Sequence, residues 1–441
     1  MPSAAEQLAA NFNFSSFSKA KELRQRIMFT LGALIVARLG TYIPMPGIDP
    51  AGMAHFINTQ GGGLLDIFNT LAGGAVSRMA IFALGIMPYI SASIIMQLMT
   101  TVFPELEALK KEGAAGQKVI NQYTRYGTVG LAAVQAFGIA IGLEHGQGIV
   151  INPGFFFRMT AVITLTGGTI LLMWIGEQIT SRGVGNGISL IIFAGIVARF
   201  PQIIGTSLEA VRTGAMNPLT LIAGGIGAIA LVGFIVFMER AQRRLLVQYP
   251  KRQVGQRMFG GEASHLPLKL NVSGVIPPIF ASSILLMPMT IASFNAQSIP
   301  EWLQTIVTYI SRGQPLYLVL YGGMVIFFAF FYTSIVFNPE ETAENLKRYG
   351  GFIPGIRPGK KTADYIDFVL TRCTAVGALY LAVVCLIPEY FQSGVSFALG
   401  GTSILIVVSV TMDTVAQIQS HLIAQQYEGL IKKAKLRGAR R

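Results

Sequence analysis

The chain has 441 residues, of which 52% are hydrophobic and only 12% charged, with a net charge of +13. Soluble domains carry about 25% charged residues, so this composition excludes a soluble globular protein and points to a chain that crosses a membrane many times. The positive excess would suggest nucleic acid in a soluble protein; here its meaning lies in where the charges fall.

The stretch up to Lys19 is largely polar and lacks the layout of a cleaved signal peptide, so the first apolar span is expected to serve as its own insertion signal. Ten spans are predicted, at 27–42, 79–101, 126–143, 155–175, 188–204, 219–238, 272–294, 316–337, 369–387 and 402–418. Ahead of the second lies a short helical pattern between glycines. Leu64, Leu65, Ile67, Phe68 and Leu71 share one apolar face, with Asp66, Asn69 and Thr70 on the other. It has room for only about two to three turns, whereas a spanning helix needs about 20 residues. A re-entrant segment, buried in protein or lining a cavity, and an interfacial helix on the membrane surface both fit that pattern.

The basic residues alternate strictly from one connector to the next. Lys19, Lys21, Arg24 and Arg26 precede the first span, and Lys110, Lys111, Lys118 and Arg125 follow the second. Arg240, Arg243, Arg244, Lys251, Arg252, Arg257 and Lys269 crowd the sixth connector. Lys347, Arg348, Arg357, Lys360, Lys361 and Arg372 fill the eighth, and the tail from 424 to 441 is basic. The positive-inside rule then places both termini in the cytoplasm. The spans divide into two groups of five near Gly214, which permits an inverted repeat; ten helices without internal symmetry satisfy the pattern equally.

Catalytic chemistry has no clear carrier. His55, His145, His265 and His421 are scattered, and there is no HExxH, phosphate-binding loop or CxxC. Cys373 and Cys385 lie about 18 Å apart along one helix, too far for a disulfide, and read as apolar packing. Arg38, Arg78, Arg158 and Arg199 lie near span ends, where long side chains reach water, and Glu177 and Glu239 sit at cytoplasmic ends. Asp413 alone falls well inside a span, and one carboxylate does not make a proton relay.

Ile86 and Ile90 are four apart, as are Ile188 and Ile192, so each pair shares a helix face. Packed or lipid-facing isoleucine accounts for that spacing as readily as pore lining does. Ser91, Ser93, Gln97, Gly185, Gly187, Ser189, Ser273, Gly274, Ser282 and Ser283 permit either close helix contact or a wet cavity. The connectors 240–269 and 338–372, about 30 residues each, are long for a compact helical membrane protein. Their charges could simply fix orientation or meet anionic lipid, but their Pro-Gly framing favours a docking surface for a cytoplasmic partner.

Several motifs resemble the bacterial SecY family, the pore subunit of the Sec protein-translocation channel. They are Gly40-Thr-Tyr-Ile-Pro-Met-Pro-Gly-Ile-Asp49, Ala83-Leu-Gly-Ile-Met-Pro-Tyr-Ile-Ser-Ala-Ser93 and Gly176-Glu-Gln-Ile-Thr-Ser-Arg-Gly-Val-Gly-Asn-Gly-Ile-Ser189. Asn338-Pro-Glu-Glu-Thr-Ala-Glu-Asn-Leu-Lys347, Pro354-Gly-Ile-Arg-Pro-Gly359 and Gly400-Gly-Thr-Ser403 complete the set, which runs along nearly the whole chain. The resemblance implies an all-α polytopic membrane protein with ten transmembrane helices in two pseudo-symmetric inverted halves, 27–213 and 214–423, around a central pore. Residues 1–26 would form a cytoplasmic N-terminal segment.

Under this resemblance, 62–74 corresponds to a re-entrant plug helix, and Ile86, Ile90, Ile188, Ile192, Ile279 and Ile406 to an aliphatic pore ring. Ser91, Gln97, Gln135, Ser282 and Ser283 fall in a lateral gate. Arg252, Arg257, Arg357, Lys360 and Lys361, on cytoplasmic loops 240–270 and 339–368, would dock the SecA ATPase or the ribosome. Small membrane subunits SecE and SecG, signal peptides and unfolded polypeptides are the further partners implied. The expected protein is a non-enzymatic channel of the bacterial cytoplasmic membrane, with no cofactor, metal or nucleotide site. A secondary transporter is the rival class, since it also uses inverted repeats and broken helices; the scarcity of midplane charges argues against it. A purely structural scaffold would leave the short helical element and the isoleucine pairs without a purpose.

Overall fold

The structure, a computed structural model, describes residues 21–49, 52–53, 69, 72–145, 148–249, 252–254, 257–259, 263–294, 309, 314–392 and 400–438. The long elements in chain order are helices α1 (Lys21–Gly40), α2 (Met87–Val102), α3 (Pro104–Lys111), α4 (Ala114–His145), α5 (Phe155–Arg182), α6 (Gly187–Val197), α7 (Phe200–Arg212) and α8 (Pro218–Arg240). Four strands follow: β1 (Gln242–Gln248), β2 (Arg252–Val254), β3 (Arg257–Phe259) and β4 (Ala263–Lys269). The chain continues with α9 (Ile276–Phe294), α10 (Pro315–Val336), α11 (Pro339–Arg348), α12 (Lys360–Gln392) and α13 (Gly401–Gly438).

The protein is a predominantly helical, multi-span membrane protein, and each of the ten expected spans overlaps helix over at least part of its length. Among the described residues, seven stretches are long and apolar enough to cross a membrane, and two shorter apolar helices, Met87–Val102 and Ile276–Leu285, accompany them.

Two expected spans need correction. The second was placed at 79–101, but α2 begins only at Met87, and 72–86 is a chain of tight turns. Pro88 in the first turn of α2 disfavours helix before it, and Met79 and Gly85 adopt positive φ (40° and 57°), which no α-helix accommodates. The fifth, 188–204, is interrupted at Ala198 and Arg199. Pro201 enters the first turn of α7, lacks an N–H and clashes with a continuing helix, so the ladder breaks just before it.

The chain forms two compact units. One comprises Met1–Tyr89, Arg125–Phe200 and Val410–Arg441; the other comprises Ile90–Thr124 and Pro201–Ser409. In the first, the turns of 72–86 are enclosed by protein. Met45 N donates to Met79 O at 2.9 Å and Ile81 N to Ile43 O at 3.0 Å. Ala132, Ala136 and Ala140 form a fully buried stripe down α4, packed with Met45, Met79, Ala83, Leu84, Phe157, Ala161 and Leu165. Small residues there let backbones approach closely. A Cβ on Gly168 of α5 would stand 2.1 Å from the Ile81 carbonyl oxygen. The burial of 79–86 is therefore real, but in protein rather than in a helix, and its non-helical backbone survives because neighbouring chain satisfies it.

Ion pairs pin α4 and α5 antiparallel at both ends. Arg125 meets Glu177 through two parallel bonds of 2.9 and 2.7 Å, a forked geometry that favours arginine. At the far end Glu144, nearly buried, accepts from Arg158 Nε at 2.8 Å and from Gly154 N at 2.9 Å. Arg158 was expected only to reach toward water; it is paired because the Glu144 carboxylate is buried beside it.

In the second unit the sixth connector forms an antiparallel ribbon that the span pattern did not foretell. Strand β1 pairs with β4 from Gln242↔Lys269 to Gln248↔Ala263, and β2 pairs with β3 beyond it. The eighth connector opens with α11, capped by Asn338, whose Oδ1 accepts from Glu340 N and Glu341 N at 3.0 and 3.4 Å. Gln248 and Phe352 exchange backbone bonds of 2.9 and 3.0 Å. Leu245, Val247, Leu268, Ile353 and Ile366 fill the space between, so the two connectors make one body.

Candidate conducting path and docking surface

Of the six expected ring isoleucines, Ile86, Ile188 and Ile192 lie in the first unit, and Ile90, Ile279 and Ile406 in the second. Ile86, Ile90, Ile192 and Ile406 are buried, whereas Ile188 and Ile279 are half-buried. Ile86 sits in the last turn before α2 rather than on a shared helical face with Ile90, a consequence of the late start of that helix. Ile188 opens α6, where Asn186 Oδ1 accepts from the N–H groups of Ile188 and Ser189 at 3.1 and 3.4 Å. Ile192 follows one turn later, so this pair does share a face.

Of the expected plug residues, Leu64, Leu65, Asp66, Ile67, Phe68, Thr70 and Leu71 lie outside the described residues. Asn69 is described, and the described backbone resumes at 72. Asn69 Oδ1 accepts from Ser77 N at 3.0 Å, its carbonyl accepts from Gly74 N at 2.7 Å, and Arg38 donates to the Gly73 carbonyl. Arg38 and Arg78 both lie over the Tyr42 ring, at 5.2 and 4.1 Å from its centroid. The segment leaving 62–74 is thus fastened to α1 and its C-terminal turn.

The gate residues divide by element. Ser91 and Gln97 are on α2, Gln135 on α4, and Ser282 and Ser283 on α9. Both α9 hydroxyls donate to the Ile279 carbonyl, at 2.9 and 2.7 Å. They therefore serve their own helix, a back-bonding that bends helices. Gln97 Oε1 is buried without a hydrogen-bond partner among the described residues. Phe280 of α9 packs edge-on against Phe328 and Tyr332 of α10, with centroids 5.8 and 6.2 Å away.

On the connector body, Arg357 is exposed in the turn between α11 and α12, and its carbonyl accepts from Thr362 Oγ1 at 2.9 Å. Lys360 and Lys361 were expected on a loop; they are the first residues of α12, exposed on its opening turn. Arg252 and Arg257 lie on β2 and β3, where Arg252 pairs with Phe259 and Val254 with Arg257. The pairings Arg125–Glu177, Glu144–Arg158 and Asn271–Glu239 were not foreseen. Their only sequence signal was a charge or amide near a span end.

Helices of spanning length, irregular backbone buried in protein and a shaped basic body beside them define a polytopic membrane protein. Residues 80–415 match the SecY family model. The chain is 55% identical over 431 residues to "Protein translocase subunit SecY" of Rickettsia conorii, covering 96% of this chain and 99% of that protein. Against the protein of the same name from Escherichia coli K12 it is 55% identical over 423 residues, covering 95% and 96%.

Solved structures share the fold. One described as "The structure of a protein conducting channel" superposes with a TM-score of 0.66 at 18% identity, over 90% of this chain and 92% of that one. Sec61 in the canine ribosome-channel complex from the endoplasmic reticulum gives 0.62 at 17%, with the same coverage. The chain belongs to the SecY family, and it is a protein-conducting channel subunit.

Proposed function

We propose that this chain forms the path by which unfolded secretory proteins cross the bacterial cytoplasmic membrane and by which apolar segments leave sideways into lipid. What carries this reading is identity of 55% to a protein translocase subunit over 96% of the chain. The six isoleucines form the narrowest ring. Branched apolar side chains exclude water, so ions meet a desolvation barrier at rest, yet such a ring parts around a polypeptide without binding it strongly. Segment 62–74 plugs the path from outside, with Asn69 and Gly73 as its fastened root. The halves 27–213 and 214–423 hinge between α7 and α8, and the gate with Ser91, Gln97, Gln135, Ser282 and Ser283 opens toward lipid.

Both termini are cytoplasmic, and the body of β1–β4 with the Arg357 turn receives the SecA ATPase or the ribosome. The channel itself is not an enzyme, and directional energy comes from that partner. SecE and SecG are its small membrane companions. Site-specific photocrosslinkers at Ile86, Ile192 and Ile406 test the path. With a secretory chain stalled in transit, adducts are expected from all three positions. Adducts from none, with the chain demonstrably engaged, would reduce the ring to ordinary packing.

A further inference from the structure

The backbone between β4 and α9 is held at several points before the helix begins. Leu270 N donates to the Ala241 carbonyl at 3.1 Å, tying the end of the ribbon to the end of α8. Asn271 Nδ2 donates to Glu239 Oε1 at 2.7 Å and to the Gly274 carbonyl at 3.1 Å. Ser273 Oγ donates to Asn271 Oδ1 at 3.0 Å. Asn271 and Ser273 are 5% and 4% exposed, so the bond between them is sheltered from water, and the bond to Glu239 is half-buried. From the other side α12 closes in: a Cβ on Gly377 would lie 2.5 Å from the Leu270 carbonyl oxygen.

Upstream, β4 is one strand of the ribbon that is joined through Gln248 and Phe352 to the Arg357 turn, over a common apolar core that includes Leu268 and Ile353. Downstream, five residues after Asn271, α9 begins and carries Ile279, Ser282 and Ser283. One continuous body therefore runs from the exposed basic turn to the root of α9. The Asn271 amide uses both of its ends within this body, donating to Glu239 of α8 and accepting from Ser273. A loose connector at this point would absorb any movement of the body; a half-buried, charge-assisted hydrogen bond transmits it.

We propose that Asn271 is a positioning residue for translocation: its bond to Glu239 couples the cytoplasmic docking body to α9, and so sets how readily the path opens. This rests on the reading of α9 as a wall of the conducting path. Asn271→Asp replaces the donor with an oxygen facing the Glu239 carboxylate, whereas Asn271→Asp combined with Glu239→Gln restores one bond with its direction reversed.

The test uses the full chain in its native complex. It reads the export of a precursor with a defective signal sequence relative to an intact one, together with the resting ion conductance of the purified channel in planar bilayers. Asn271→Asp is expected to raise both about three- to tenfold, and the double variant to bring them back to within about twofold of the parent. If Asn271→Asp does not accumulate, Asn271→Ala, which removes the donor without adding charge, is expected to move both readouts in the same direction by less. Unchanged readouts in whichever of these accumulates, or a rise that Glu239→Gln fails to reverse in Asn271→Asp, would overturn the coupling. Ile279→Asn separates the two levels. If it raises conductance while the Asn271 variants do not, the coupling alone fails; if it is silent too, α9 is no wall of the path and both readings fall.

Discussion

The turn between α5 and α6 leaves no room for a side chain at Gly187. A Cβ there would stand 2.0 Å from the Gly176 carbonyl oxygen, and backbone cannot swing aside as a flexible side chain can. Gly187 N also donates to Thr180 Oγ1 at 2.9 Å, so the turn is held from both sides. Gly187→Ala is expected to destabilise the protein by about 1–3 kcal/mol, read as a lower thermal midpoint of the purified protein. An unchanged midpoint would mean that α6 can move off α5 at no cost. The glycine spacing at 183, 185 and 187 was visible in the sequence, but not the carbonyl that faces it. The same limit applies to charge. The placement of Arg125, Arg158 and Glu177 near span ends was legible, because burying a lone charge in lipid is costly. Their pairings were not, because the partners stand 52 and 14 residues apart.

At the level of elements, long apolar runs were easy to read because a helix is the simplest way to bury that much backbone in lipid. Residues 79–86 show where that reasoning stops. They are as apolar as a helix, but apolarity reports depth and not backbone conformation, and the stretch is turned because α4, α5 and the chain around Met45 satisfy it. The breaking signals, Gly85 and Pro88, were present but outweighed by hydropathy. In the connectors, charge and Pro-Gly framing were legible, but the ribbon was not: only Leu245 and Val247 on β1 are buried, too short an alternation to announce a strand. That ribbon matters, because it makes the Arg357 turn part of a packed body with Ile353 and Ile356 around it. Arg357→Glu changes an exposed side chain on that body, so the fold should persist. Partner-driven export is expected to fall about tenfold or more while the channel accumulates normally. Ordinary precursor processing at normal channel abundance would remove Arg357 from the docking surface.

For the whole molecule, the decisive distinction is between a channel and a transporter. A transporter that couples substrate to ions needs ionisable groups at mid-depth. Asp413 is the one mid-span carboxylate foreseen, it is exposed on α13, and one carboxylate does not make a relay. A channel has the opposite problem: it must stay shut while remaining wide enough for a polypeptide. An apolar ring resists ions only while it stays narrow, so a second barrier in series would relieve the ring of sealing alone. Segment 62–74 is suited to that role because its root is fastened: Gly73 to Arg38, and Asn69 to Ser77. Deleting 62–74 is expected to leave the channel assembled and able to export, but to raise its resting ion conductance in planar bilayers. Substrate-dependent uptake of small solutes by vesicles should remain nil in both forms. If conductance is unchanged, the ring seals by itself and the plug assignment falls. If saturable uptake of a solute emerges in the intact protein, the transporter class replaces the channel.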